Sequence, residues 1–252
     1  MSTMNPSLNG ISISVAMPIF NESDGIAETL NSIDEAFRNS GATVTMCIQN
    51  DVSTDNTLQV LAELSASLHL NIAIETNQQN LGHGPTAFYA YQRALSTGSS
   101  IVMQLDSDGQ FDANELPLLC TAITDGHDVV IGIRSNRVDP WFRKLVTFLL
   151  RNFLRARYLG RFPDPNSPVR AYSSTVLAPM LSKLPAEPFI PNIYLSILAV
   201  REKLNVEYVH VSHRERRGDE STGTMWQSAN QWQKINRLLK FCRKSFIQLL
   251  SF

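Results

Sequence analysis

Charge, cysteine and long apolar runs are all scarce in this chain. Only 18% of its 252 residues are Asp, Glu, Lys or Arg, and these nearly cancel, leaving a formal net charge of -1. Without an overall positive field, a polyanion such as nucleic acid is not a natural partner. The three cysteines, Cys47, Cys120 and Cys242, are widely spaced and set among apolar neighbours. They fit neither a zinc spacing nor a redox pair, and read as small core residues of a protein kept in a reducing cytoplasm. The opening stretch, MSTMNPSLNG, lacks the apolar centre of a secretory signal. No apolar run approaches the roughly 18 residues that a membrane-crossing helix needs, so the chain is expected not to span a bilayer. Neither G-x-x-x-x-G-K nor G-x-G-x-x-G stands where a strand turns into a helix, which disfavours ATPases and dehydrogenases.

What is present suits one globular α/β domain: 43% of the residues are hydrophobic. Short apolar runs at 11–17, 44–48, 71–75, 101–105 and 128–133 read as buried strands. Helical patterns lie between them, at 23–39 with Ser23 as the cap, 55–66, 85–96 and 113–124. Such alternation predicts a parallel sheet with right-handed crossovers. Beyond residue 134 the rhythm changes. A long basic amphipathic stretch fills 141–159, strands are expected at 170–172 and 205–212, and helical patterns surround Leu181 and residues 193–203. Residues 1–223 are expected to form the main domain and 224–252 a basic amphipathic helix. That tail holds Lys234, Arg237, Lys240, Arg243 and Lys244 with no acid, a charge of +5 against -6 for the remainder. Its apolar stripe of Trp232, Ile235, Leu239, Phe246 and Leu249 beside those cations predicts peripheral contact with an anionic membrane surface. Docking on its own domain is the alternative.

In parallel sheets, ligands bind beyond the carboxyl ends of the strands. Those positions read Pro18-Ile19-Phe20-Asn21-Glu22, Gln49-Asn50-Asp51-Val52-Ser53-Thr54-Asp55, Asn80-Leu81-Gly82-His83-Gly84 and Asp106-Ser107-Asp108-Gly109-Gln110. Any one cluster is explained as a helix cap or turn; Glu22 and Asp55 both stand where a cap would. Four clusters in register are better explained by a nucleoside diphosphate-sugar, whose base, ribose and diphosphate all need polar partners. A carboxylate such as Asp51 accepts from a base or ribose donor. Two carboxylates flanking one residue, Asp106 and Asp108, suit the ribose and a divalent cation that bridges phosphates. Mg²⁺ or Mn²⁺ takes one or two carboxylates plus phosphates and water.

With these residues in view, the chain resembles a family 2 glycosyltransferase of the GT-A fold. The likeness is greatest to the branch containing dolichol-phosphate mannose synthase and bacterial polyprenyl-phosphate sugar transferases. It runs from about Ser14 to Thr222. Pro18, Asn21 and Glu22 match the family's Pro-x-x-Asn-Glu. Asp51, Ser53, Asp55 and Thr57 match Asp-Asp-x-Ser-x-Asp-x-Thr, with Asn50 in place of the first Asp. Asn80, Gly82 and Gly84 match its Asn-x-Gly loop, and residues 106–110 match Asp-x-Asp-Gly-Gln. Gly132 and Arg134 resemble Gly-x-Arg, and Asp164 to Arg170 resemble Asp-x-x-Ser-Gly-Phe-Arg, with Pro168 and Val169 substituted. His213, Arg216 and Ser221 resemble a diphosphate-binding stretch.

The resemblance implies metal-dependent, inverting transfer from a UDP- or GDP-sugar. It assigns the metal to Asp106 and Asp108. Nucleotide-sugar contacts fall to Pro18, Asn21, Glu22, Asp51, Asn80, Gly82, Asp106, Gln110, Arg134, His213 and Arg216. Asp108, Asp164 and Arg170 stand at the chemistry, and Arg134, Arg170 and Arg216 are the cations an acceptor phosphate would need. A polyprenyl phosphate is the expected acceptor, because the Glu-Asp pair that many hydroxyl-directed members place before a late helix is replaced by Phe189-Ile190-Pro191-Asn192. Asp164 either orients the arginines or acts as a base toward a hydroxyl acceptor. Transfer to a hydroxyl of a saccharide or small molecule is thus the alternative. A sugar-nucleotide pyrophosphorylase would need a Gly-rich, Arg-containing loop after strand one, which Pro18–Glu22 is not. The expected location is the cytoplasm, peripherally at the membrane face.

Overall fold

The computed structural model describes residues 7–135, 141–214, 231–250 and 252. Five strands follow the sequence pattern: β1 (Ser12–Ile19), β2 (Thr43–Asn50), β3 (Asn71–Thr76), β4 (Ile101–Gln104) and β5 (Val129–Ser135). Between them run α1 (Ile26–Phe37), α2 (Thr57–Leu64), α3 (His83–Ser96) and α4 (Leu116–Thr124). The remainder supplies α5 (Trp141–Tyr158), β6 (Arg170–Ser173), α6 (Ser174–Ser182), α7 (Pro191–Arg201), β7 (Val206–Ser212) and α8 (Gln231–Leu250). Among the described residues the strands form one sheet in the order β3-β2-β1-β4-β6-β5-β7.

Burial decides where β1 sits. All of its residues except Ser12 are buried, as a central strand covered on both faces requires. Ile13, Val15 and Met17 turn to a layer built with Leu30, Ile33 and Phe37 of α1 and Leu119 of α4. Ala16 turns to the opposite layer, with Phe88 and Tyr91 of α3 and Leu195 of α7. Cys47 and Cys120 are core residues, and Cys242 is half-buried. Pro18 lies past the last β1–β4 pair, Ala16 with Gln104, so the missing N–H breaks no ladder on that side.

Helix starts differ from the sequence expectation for local reasons. Ser23 does not cap α1; its backbone N–H donates to Asp55 Oδ2 at 3.1 Å, and the helix begins after Gly25. The third helix begins at His83, so Pro85 falls in the first turn, where its absent N–H costs no helical bond. The fourth is preceded by a tight turn at Ala113–Glu115 whose first orphan donor, Asn114 N, is taken by Asp112 Oδ1 at 3.1 Å.

The sheet is not uniformly parallel. Strand β6 runs antiparallel to both β4 and β5, pairing Arg170 with Gln104 and with Ile131. Its N-terminal end therefore lies at the edge where the parallel strands end, and the loop 164–169 that feeds it opens on that edge. A parallel β6 would have put this loop on the far side.

Helix α8 lies on its own domain. Leu249 is buried in the core, and Gln248 Oε1 accepts from Phe189 N at 3.0 Å and Tyr194 Oη at 3.2 Å. The Phe246 and Phe153 rings meet at 5.4 Å between centroids, joining α8 to α5. The outer side stays open: Phe148 is 62% exposed and Ile247 57%. No helix among the described residues is long and apolar enough to cross a membrane.

Candidate active site

The loops after β1 and β2 are stitched to each other. Asn21 adopts a left-handed backbone with φ 52°, a conformation Asn tolerates well. Its N–H donates to Ser53 Oγ at 3.0 Å, and its Oδ1 accepts from Thr54 N at 2.8 Å. The Glu22 N–H donates to Thr57 Oγ1 at 2.9 Å, and Glu22 is itself buried. Asn50, standing where the family has Asp, is fully buried. Its Oδ1 accepts from Ser53 N and Oγ at 3.1 and 2.6 Å, folding the turn that carries Asp51. Val52 in that turn has φ 62°, an uncommon position for a β-branched residue and a sign of local strain. The Asp55 carboxyl is held below its ordinary pKa. Burial works against this, but hydrogen bonds donated by Thr57 and Ser23 outweigh it.

The Asp51 carboxylate is engaged within the protein. It is buried. Its Oδ1 accepts from Asn77 Nδ2 and Leu81 N, both at 2.8 Å, and Oδ2 accepts from Gly82 N at 2.9 Å. The carboxylate that was expected to read a base or ribose thus anchors the Asn80-Leu81-Gly82 loop in this structure. Asn80 reinforces the anchor, donating from Nδ2 to Asp51 O at 3.1 Å. Gly82 has φ 82° and ψ 166°, a region open essentially to glycine alone. Gly84 is required for another reason, since a Cβ there would stand 2.2 Å from Phe189 O. Asn77, Gln49 and Thr86 complete the anchor, with Gln49 Nε2 donating to Asn77 Oδ1 at 2.8 Å and Asn77 Nδ2 to Thr86 Oγ1 at 3.0 Å. Sequence reasoning placed Gln49 at this edge but missed Asn77 and Thr86, because no spacing rule marks a polar side chain buried beneath a loop.

Past β4 the Asp-x-Asp loop opens at the same edge. Asp106 leaves 27% of its side chain exposed; its Oδ1 accepts from Gln104 Nε2 at 3.0 Å and lies 3.7 Å from His83 Nε2. Asp108 Oδ1 accepts from Gln110 N at 3.2 Å. Two carboxylates on one half-open turn are a hard-oxygen donor set of the kind Mg²⁺ and Mn²⁺ bind together with phosphate oxygens. His83, which no motif marked, belongs to this group by position.

Two arginines pin the loop that feeds β6, one of them through Asp164, as one of the two sequence expectations for that residue had it. Asp164 and Arg134 form a two-pronged pair, Nε to Oδ2 at 2.8 Å and Nη2 to Oδ1 at 3.0 Å, with both side chains largely covered. Arg170 is fully buried and faces no open surface. Its guanidinium donates to Ser167 O at 2.5 Å, Pro165 O at 2.6 Å, Asn192 O at 2.9 Å, Ser196 Oγ at 3.1 Å and Tyr172 Oη at 3.2 Å. Buried among these acceptors, Arg170 fastens loop 164–170, and its guanidinium does not stand at the open edge where an acceptor phosphate was expected to meet it. His213 ends β7 at the same edge, its N–H donating to Ser135 O at 3.3 Å. Arg214 Nη2 reaches Asp112 Oδ2 at 2.6 Å, and Ser212 N and Oγ donate to Glu115 at 2.7 and 2.8 Å. Arg216 and Ser221 lie outside the described residues.

A mixed sheet of this order, with an Asp-x-Asp loop after β4 and an antiparallel strand beside it, is the frame of a GT-A glycosyltransferase. Solved structures share it. Glucosyl-3-phosphoglycerate synthase from Mycobacterium tuberculosis, in complex with Mn²⁺, UDP and glucosyl-3-phosphoglycerate, superposes with a TM-score of 0.66 at 22% identity, covering 96% of this chain and 80% of that one. The same enzyme with Mg²⁺ and UDP gives 0.67 at 20% identity, over 96% and 79%. Residues 14–177 match the family described as Glycosyl transferase family 2, and the chain belongs to that family. Among curated relatives, undecaprenyl-phosphate 4-deoxy-4-formamido-L-arabinose transferase of Edwardsiella ictaluri is 28% identical over 209 residues, or 83% of this chain. The chain spans 62% of that relative's length.

Proposed function

We propose that this glycosyltransferase moves a sugar, with inversion, from a UDP- or GDP-sugar to the phosphate of a polyprenyl monophosphate. The observation that carries the choice of acceptor is the Arg134–Asp164 pair. Asp164 is the acid best placed to act as a base on the acceptor side, and both its oxygens already accept from one guanidinium. A carboxylate so engaged is a weak proton acceptor, and a sugar hydroxyl needs a strong one. A phosphate monoester, with its second pKa near about 6, arrives as an anion and needs none. The Edwardsiella relative is named for undecaprenyl phosphate, an acceptor of this class.

In this reading the loops after β1, β2 and β3 enclose the nucleotide, with Pro18, Asn21 and Glu22 shaping one wall and Asp51 holding the 80–82 loop as the other. Asp106 and Asp108 would hold Mg²⁺ or Mn²⁺, Asp106 would also serve the ribose, and Gln110 and His213 would border the diphosphate. When bound, the cation neutralises the charge that builds on the departing diphosphate. An acceptor phosphate oxygen bonds to the anomeric carbon as the bond to the donor's phosphate oxygen breaks. Arg134 keeps Asp164 and its loop in place, and Arg216 supplies positive charge toward the acceptor. Residues 1–223 form the catalytic domain. Residues 224–252 make up the basic tail, whose described helix α8 lies on that domain and, with α5, makes the membrane-facing side at the cytoplasmic surface. Lys144, Arg155, Lys240 and Arg243 are exposed on those two helices, beside the open faces of Leu145, Phe148, Leu149 and Ile247.

The test offers the purified protein UDP- and GDP-sugars with a short polyprenyl phosphate or its dephosphorylated alcohol. Transfer to the phosphate alone is expected. Glycosylation of an alcohol or free saccharide instead would establish the hydroxyl reading and make Asp164 a base.

A further inference from the structure

A chain of buried amides connects the Asp-x-Asp loop to the acceptor-side loop. Gln104, the last residue of β4, is fully buried; its Nε2 donates to Asp106 Oδ1 at 3.0 Å, and its Oε1 accepts from Asn192 Nδ2 at 2.9 Å. Asn192, buried in the first turn of α7, also donates from Nδ2 to Ser167 O at 3.3 Å, and its Oδ1 accepts from Tyr91 Oη at 3.0 Å. Its backbone carbonyl accepts from Arg170 Nη1 at 2.9 Å, and Arg170 in turn grips Ser167 O and Pro165 O.

The chain has one workable direction. An ionised Asp106 only accepts, so Gln104 must turn its NH₂ toward it and leave its oxygen for Asn192. Asn192 must then donate to Gln104 and accept from Tyr91. Burial pushes the Tyr91 phenol well above its usual pKa, so it remains a hydroxyl donor throughout the working range. Flipping either amide sets like groups against each other in a dry interior, where an unmade hydrogen bond is costly. Apolar side chains would fill the same space without that demand, so the polar chain serves geometry rather than cohesion.

We propose that Gln104 and Asn192 are positioning residues that fix the orientation of Asp106 and lock it to the 164–170 loop. Setting the metal-side carboxylate and setting the acceptor loop then become one event. This rests on the reading of Asp106 as a metal ligand.

The test is Mn²⁺ affinity at saturating UDP, read by electron paramagnetic resonance on the folded, full-length protein. Gln104→Met keeps the side chain's length and removes both of its bonds. Its Mn²⁺ dissociation constant should rise about tenfold, the scale of one hydrogen bond to a charged group. Asn192→Leu touches Asp106 nowhere, yet should weaken Mn²⁺ in the same direction by about threefold or more, through Gln104. The double variant should be no weaker than Gln104→Met alone, because both substitutions cut one chain. If Asn192→Leu does not fold, Tyr91→Phe, which deletes only the hydroxyl at the head of the chain, is read in its place and should also weaken Mn²⁺. Affinity within twofold of wild type in the folded remote variant, or multiplicative losses in the double, would overturn the proposal. Wild-type protein that holds no Mn²⁺ with UDP would overturn the metal reading beneath it, before any variant is compared.

Discussion

Arg170 and Asp51 are charged side chains at a ligand edge that the structure turns inward, and both illustrate how a motif residue acts at one remove. Arg170 donates to three backbone carbonyls and two hydroxyls, so removing it takes a charged donor from five buried acceptors at once and leaves the carbonyls only Asn192 Nδ2 and the single Ser196 hydroxyl. Each buried group left unsatisfied costs about 1–3 kcal/mol. Arg170→Met should therefore lower unfolding free energy by about 3 kcal/mol or more, measured by urea titration. A variant as stable as wild type, with only the acceptor KM raised, would return Arg170 to the ligand. Asp51→Ala should weaken UDP or GDP binding about tenfold by releasing the loop that Leu81 and Gly82 anchor, as judged by calorimetry. Unchanged affinity for both nucleotides would remove Asp51 and its loop from the site. The sequence made both positions legible but not the direction their charges face. Residue type says that a charge needs partners, whereas which partners depends on how the 77–82 and 164–170 loops fold back.

At the scale of elements, apolar runs bounded by turn residues revealed β1 to β5, most plainly β1 and β4, which are covered on both faces, and less so the edge strand β3, none of whose residues is buried. The direction of β6 was not legible. Residues 170–173 are four in number, and their burial pattern is the same whichever way the strand runs. That direction nonetheless brings Asp164 to Arg134. The docking of α8 was equally hidden, since an amphipathic stripe looks alike whether it meets lipid or protein. The structure divides the helix: Leu249 and Gln248 face inward, while Ile247 and exposed lysines face out. Deleting the tail would therefore damage the core as well. Reversing the charge of Lys240 and Arg243 is the cleaner change. It should abolish salt-sensitive flotation with anionic liposomes while sparing the melting temperature, because each cation near such a surface contributes about 1 kcal/mol. Flotation equal to wild type would move the contact elsewhere.

Across the whole molecule, acid should loosen the fold. Burial opposes ionisation of Asp34 and Asp55. Even so, both carboxyls are held below their ordinary value, Asp34 by Arg38, His69 and Leu70, and Asp55 by Thr57 and Ser23. Unfolding returns them to about 3.9, so the unfolded chain binds more protons in acid. Their contribution is complete above that value and fades as pH falls through the folded-state values. Urea midpoints measured from pH 6 down to 3 should decline chiefly below about pH 4. A flat profile there would contradict the bonding described at both sites. The claim that the whole edge is a metal-assisted transfer site is tested most directly by following nucleoside diphosphate release across a Mn²⁺ titration. Wild type and Asp108→Asn should be compared with donor and polyprenyl phosphate present. The account predicts metal-dependent turnover in wild type and a loss of about 10²–10³ in the variant. Turnover of the variant within a few-fold of wild type at low Mn²⁺ would contradict it.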